Sequence, residues 1–404
     1  MQKHTEKRSL DDLALFGGAP AFPENLYVGR PNIGNRTRLF ERINDMLDRR
    51  WLTNSGQYEQ ELERRICDLA GVKHCIAMCN ATVALEIAIR ATGMSGEVIV
   101  PSFTFVATAH ALQWQAITPV FADIDPQTHN IDPRSVERMI TPRTTGIIGV
   151  HVWGQPCDVE SLAAIAASRN LHLIYDAAHA FGCAHQGQMI GNFGDAEVYS
   201  FHATKFFNTF EGGAVVTNNV DLAHRIRLMR NFGFAGYDNV VSVGTNGKMS
   251  EISAAMGLTG LESLEDFVTI NYQNYQRYQR GLENVEGLRL LTYNERERQN
   301  YQYIVVEIDP DVTGVSRDVI VDLLWAEHVI ARRYFYPGVH QMEPYHSYFP
   351  HAGLLLQETE RLSERVMVLP TGTAVSVGDI DEICKLIRLA VAHGPALTQK
   401  LSER

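Results

Sequence analysis

The chain has 404 residues, 45% of them hydrophobic and 21% charged, a balance that suits a large globular core with room for a second, smaller domain. Its formal net charge of −11 argues against a nucleic-acid backbone or an anionic membrane surface as partner. No run of about 18 apolar residues occurs and residues 1–8 lack the apolar stretch of a signal peptide, so a cytoplasmic location is expected. Six cysteines are scattered along the chain. Cys75 and Cys79 share a strand-like run but lie too far apart in it for a disulfide, and no zinc-type ligand spacing occurs, so no metal is expected.

In chain order, apolar strand-like runs fall at 74–79, 97–100, 119–123, 146–152, 172–176, 196–200 and 214–217, with helical stretches between them such as 82–91 and 161–168. This alternation predicts an α/β fold with a largely parallel sheet and helices on both faces. Ligands bind such sheets beyond the carboxyl ends of the strands. Asn80, Ser102, His151, Asp176 and Ser200 all fall at such ends and are expected to converge on one site. After Met249 the texture changes: a long helical stretch at 251–280, a strand at 301–308, an amphipathic helix at 317–327, a loop at 332–349 and a last helix at 380–393. The expected division is a large domain over 1–260, including the N-terminal segment, and a small α/β domain over 261–404. No repeat or low-complexity tract interrupts it.

The residue with the most chemistry in it is Lys205, in Ser200-Phe201-His202-Ala203-Thr204-Lys205, just before Glu211-Gly212-Gly213. Upstream, Asp176 closes the strand Leu173-Ile174-Tyr175. A lysine on a loop with an aspartate at a nearby strand end is what pyridoxal 5′-phosphate (PLP) requires. The lysine forms the Schiff base, and the carboxylate keeps the pyridinium nitrogen protonated so that the ring acts as an electron sink. Taken singly, Lys205 also reads as a surface lysine and Asp176 as a helix cap or ion-pair partner. Asn80-Ala81-Thr82 stands between a strand and a helix, where it is either an anion site or a plain N-cap; Ser200 adds a second hydroxyl. Phe103 and Phe105 follow another strand end, and one of them can stack on a flat ring or simply fill the core. The loop from Gly244 to Glu251 is a surface turn or a phosphate-contacting arm, with Ser250 as N-cap. No G-x-G-x-x-G follows the first strands, which discounts a nicotinamide enzyme.

In this order, Asn80-Ala81-Thr82-Val83-Ala84-Leu85, Pro101-Ser102-Phe103-Thr104-Phe105, Gly154-Gln155-Pro156, Asp176-Ala177-Ala178-His179, Ser200 to Lys205 and Gly244 to Glu251 resemble the DegT/DnrJ/EryC1/StrS family of PLP-dependent nucleotide-sugar aminotransferases. The resemblance runs from Leu52-Thr53-Asn54 to Tyr334-Phe335-Tyr336-Pro337. It implies fold type I of the PLP enzymes and a homodimer with shared active sites. It makes Lys205 the Schiff-base lysine and proton shuttle, and Asp176 the partner of the pyridinium nitrogen. Phe105 would stack on the ring, and His179 would approach its other side or bond its phenolic oxygen. Ala81, Thr82 and Ser200 would hold the phosphate, and Asn246 would reach the neighbouring subunit's cofactor phosphate. Tyr334 and His340 become candidates for the sugar-nucleotide pocket. His179 stands where glutamine is frequent, and Asn80-Ala81-Thr82 where Ser-Gly-Thr is common. The bulky segment Phe206-Phe207-Asn208-Thr209-Phe210 is similar to that of enzymes acting on dTDP-4-keto-6-deoxyglucose. The implied reaction is ping-pong transfer of an amino group from glutamate to such a keto-sugar. Amination at C-3, or sugar dehydration, is the alternative; dehydratases of this family carry histidine in place of the lysine.

Overall fold

The computed structural model describes residues 4–403. Its centre is a seven-stranded sheet of β1 (His74–Met78), β2 (Glu97–Pro101), β3 (Thr118–Ala122), β4 (Thr144–Val150), β5 (His172–Asp176), β6 (Ala196–Ser200) and β7 (Gly213–Thr217), in the order β1-β7-β6-β5-β4-β2-β3. Neighbours run parallel except β7, which is antiparallel to both β1 and β6. Each strand falls on an expected run. Continuous burial, as along the whole of β2, is what a sheet covered on both faces demands.

The pleat sorts side chains between the two faces. From β1 and β7, Cys75, Ala77, Ala214 and Val216 pack under α1 (Arg36–Arg49), α2 (Gln57–Ala70) and α8 (Glu251–Glu262). Ile76, Met78 and Val215 pack on the other face, under α3 (Ala81–Thr92), α4 (Ala107–Gln113) and α7 (Val220–Arg230). Two further helices, α5 (Pro133–Met139) and α6 (Val159–Arg169), cover the β4–β5 region.

The expected 251–280 helix is two, α8 and α9 (Leu264–Gly281). Ser263 caps both, with backbone angles of φ −109° and ψ 8°; serine favours such ends because its hydroxyl competes for backbone groups. The C-terminal domain sets a three-stranded antiparallel sheet of β8 (Leu288–Leu290), β9 (Ile304–Ile308) and β10 (Val366–Leu369) against α9, α10 (Arg317–Ala326) and α11 (Val377–Ala392). A capping box between Ser376 and Asp379 starts α11 three residues before the expected 380. A final helix, Gly394–Ser402, was not expected; Pro395 in its first turn breaks it from α11. Among the described residues no helix is long and apolar enough to cross a membrane.

The N-terminal segment was expected within the large domain, and the structure attaches it to the small one. Leu26–Tyr27 pairs in parallel with Val329–Ile330, and Leu13, Ala21, Phe22 and Leu26 enter the core of the C-terminal domain. The anchor is Glu327, fully buried, which accepts from Ala14 N–H at 2.6 Å and Ala21 N–H at 2.7 Å and pairs with Lys7 at 3.2 Å. Removing one partner of a buried ion pair strands the other charge. Glu327→Ala is therefore expected to destabilise the protein by about 3–5 kcal/mol, read as a lower thermal midpoint with early proteolysis before residue 27.

Candidate active site

The reversed direction of β7 builds the site. Its first residue, Gly213, is in register with Met78 of β1 and Ser200 of β6, so the turn before it lies at the carboxyl edge of the sheet, against the start of α3. A Cβ on Gly213 would sit 2.7 Å from the Ala81 nitrogen; a glycine is what lets strand and helix approach this closely. Asn80 caps α3, its Oδ1 accepting from Val83 N–H at 2.9 Å. The N–H groups of Ala81 and Thr82, earlier in the turn, have no intrahelical acceptor. With the hydroxyls of Thr82 and Ser200 they form a cradle of donors at the positive end of a helix, which suits an anion.

The cradle opens into a cavity of about 650 Å³ whose walls include Thr82, Phe105, Asp176, His179, Ser200, Lys205, Arg332 and Tyr334. Asp176, at the end of β5, is buried. Its Oδ2 accepts from Thr108 Oγ1 at 2.8 Å and its Oδ1 from Ala178 N–H at 3.1 Å. Burial raises its carboxyl above the usual range, partly offset by those two donors and by Lys205. Lys205 is itself pulled down to about 8, chiefly by burial, with Arg332 adding and Asp176 opposing. Its Nζ donates to the Tyr303 hydroxyl at 3.1 Å.

His179 is buried, and loss of water holds its imidazole well below its ordinary range, with Lys205 adding. Its Nδ1 accepts from Trp153 N–H at 3.2 Å, and its ring lies nearly parallel to Phe335 at 5.8 Å. Trp153 has a left-handed backbone at φ 62°, uncommon for a bulky residue; its ring is stacked on Phe335 and on His179. Phe105 is 58% exposed, a large apolar side chain left open on a cavity wall. Arg332 lies 5.0 Å from the Tyr334 ring, and no carboxylate among the described residues pairs with it.

Four of the residues singled out in the sequence lie elsewhere. His340 is buried off the cavity: Ser102 Oγ stands 2.7 Å from its Nδ1 and Glu360 Oε1 3.2 Å from its Nε2, so both ring nitrogens are engaged. That contact also removes Ser102 from the expected cluster. His151 faces Glu197 at 3.2 Å and accepts from Cys157 N–H at 3.0 Å. Asn246 is exposed on the loop after α7, outside this chain's own cavity.

Residues 35–388 match the DegT/DnrJ/EryC1/StrS aminotransferase family. The chain belongs to this family. The match to relatives runs nearly end to end. A dTDP-4-amino-4,6-dideoxy-D-glucose transaminase of Shigella dysenteriae is 36% identical, over 90% of this chain and 98% of that one. One of Escherichia coli is 35% identical, over 89% and 97%. The crystal structure of DesI in the presence of its TDP-sugar product is 49% identical, with a TM-score of 0.94 over 98% of this chain and all of that one. This family member is a PLP-dependent aminotransferase of fold type I.

The residues present in this aminotransferase fit the cofactor. The donors at the start of α3 suit a phosphate dianion, Asp176 is a buried carboxylate lacking a close cation, and Lys205 is an amine near neutrality on the same cavity. Sequence reasoning missed Thr108, Tyr303, Arg332 and Phe335. Thr108 left only a faint signal: it stands in the first turn of α4, four residues after Thr104, which precedes that helix, and their hydroxyls are 3.0 Å apart. The other three come from the C-terminal domain, about 100 residues or more beyond Lys205 in the chain, and no local pattern points to them.

Proposed function

We propose that this aminotransferase moves an amino group from glutamate to dTDP-4-keto-6-deoxy-D-glucose, giving dTDP-4-amino-4,6-dideoxy-D-glucose. The observation that carries the reading is a cavity holding a half-buried lysine whose amine is pulled down to about 8, a buried carboxylate and a helix-start anion cradle. The names of the transaminases that match along most of the chain supply the sugar.

PLP, when bound, supplies an electron sink for the bond broken at the amino-bearing carbon. Ala81 and Thr82 N–H with the Thr82 and Ser200 hydroxyls hold its phosphate. Asp176, fixed by Thr108 and Ala178, keeps the ring nitrogen protonated. Phe105 and His179 bound the ring, and the neutral His179 places no cation beside it. Lys205 takes and hands on the proton from the α-carbon of glutamate in the first half-reaction and delivers a proton to the sugar carbon in the second, one base serving both halves. Arg332, a cation on the cavity wall without an acidic partner, receives the negative groups of the substrates, beside Tyr334. We read the working form as a cytoplasmic homodimer. Phe232, Phe234, Tyr237 and Val240 are exposed along the 232–243 segment, an apolar strip suited to a second copy, and Asn246 beyond it would reach the neighbour's phosphate.

The test is the visible spectrum of the PLP-loaded protein. Glutamate should abolish the band of lysine-bound cofactor, and dTDP-4-keto-6-deoxy-D-glucose should restore it. Bleaching without restoration by this sugar would keep the aminotransferase and reject the substrate.

A further inference from the structure

Tyr303 stands where the lysine amine goes when it is free. Its hydroxyl is 3.1 Å from Lys205 Nζ, and Nζ lies 5.8 Å from the centre of the ring. Tyr303 immediately precedes β9, is buried, and is held on several sides. Its ring packs on His179 at 4.4 Å, Trp153 at 5.4 Å and Tyr334 at 5.8 Å, and its carbonyl accepts from the Tyr293 hydroxyl at 2.7 Å. A lysine with two tasks, carrying the cofactor and then moving a proton, must be free and correctly placed between them. We infer that Tyr303 is a positioning residue for both half-reactions, holding the released Lys205 amine in reach of the reacting carbon.

A phenol suits this task better than a carboxylate. An ammonium has donors only, so the phenol oxygen accepts from it. A buried carboxylate at that distance would trap the proton as an ion pair, whereas a neutral oxygen steadies the ammonium and still lets the proton leave. The other groups acting on Nζ are Asp176, which favours its charge, and Arg332, which opposes it; His179 beside it is neutral. Burial holds the Tyr303 hydroxyl well above the ordinary phenol range, so the phenol keeps its own proton. Nζ takes the α-proton of glutamate and hands it on within that half-reaction, and in the second half-reaction the same nitrogen delivers a proton to the sugar carbon.

This inference rests on Lys205 as the cofactor lysine, and wild-type protein tests that reading in parallel through its visible band. Tyr303→Phe keeps the ring and its packing and removes one oxygen. In the full-length, cofactor-free protein, the pH dependence of Lys205 acylation by acetic anhydride, followed by mass spectrometry, gives the amine's midpoint. Loss of a hydrogen bond to the charged form should lower that midpoint by about one to two pH units. In the PLP-loaded variant, single-turnover bleaching with glutamate should slow by about ten-fold or more, with its pH profile displaced in the same direction and the half-saturating glutamate concentration unchanged. An unchanged midpoint overturns the inference, and so does a lowered midpoint with an unchanged rate. A wild-type protein with no visible band would instead overturn the assignment of Lys205.

Discussion

Lys205→Ala is expected to lower amino transfer by about 10³–10⁴-fold, the upper part of the range for loss of a positioned acid–base group, and to remove the visible band of lysine-bound cofactor. Two functions vanish with one side chain, the covalent attachment and the proton carrier, while the cradle at α3 and the carboxylate of Asp176 stay in place. The variant should therefore still retain PLP through its phosphate, seen as bound cofactor after gel filtration. A small amine such as methylamine, added at high concentration, should restore part of the proton transfer. A variant that loses all cofactor, or that keeps its rate, contradicts the assignment. The lysine also leaves a signature in stability. Its folded value of about 8 lies below an unfolded lysine near 10.4, so between those values the unfolded chain binds more protons. Stability of the cofactor-free wild type should rise with pH through that window, and Lys205→Ala should lose that rise. Measuring unfolding midpoints at pH 7.5, 9 and 10.5 separates the two proteins.

How far the sequence reached follows from which signals are local. The seven strands were legible because continuous apolar runs between helical stretches admit little else. Asn80, Asp176 and Ser200 meet on the cavity as expected, yet ranking residues by strand end alone swept in two that do not. Register explains one of them. Val150 is paired with Asp176 and lines the cavity, so His151, one residue on, turns to the opposite face and meets Glu197. Ser102 is taken up by the loop bearing His340, through both the His340 ring and the Val339 N–H, which donates to the Ser102 carbonyl at 3.0 Å. The attachment of the N-terminal segment rests on a two-residue strand pairing and one buried glutamate, neither of which has a periodic signature. Tyr301 and Tyr303 illustrate the same limit. Both are buried, but the second alone meets the lysine, and alternation along a strand treats them alike.

Asp176→Asn separates catalysis from stability in one substitution. The shape of the side chain is kept. Oδ1 can still accept from Ala178 N–H, and the amide that replaces Oδ2 can donate to Thr108 Oγ1, whose hydroxyl is free to turn toward Thr104. What is lost is the charge facing the ring nitrogen. An amide cannot hold that nitrogen protonated, so the electron sink weakens, and both half-reactions should slow by about 10²–10³-fold, the scale of losing one preorganised electrostatic partner. Without cofactor, the same charge is a burden. Burial raises the Asp176 carboxyl above the unfolded value near 3.9, so over the interval between the two the folded chain binds more protons than the unfolded one. Stability then falls as pH rises through that interval and stays lowered above it. The amide has no such proton to lose. At neutral pH, cofactor-free Asp176→Asn should therefore unfold at a higher temperature than the wild type, and the advantage should shrink as pH falls through that interval toward the unfolded value near 3.9. Adding PLP should reverse the order, because the carboxylate then gains the cationic partner that the amide cannot engage. An Asp176→Asn protein that is less stable than wild type in both states would mean that the carboxylate is a structural anchor of β5 rather than a charge held for the cofactor.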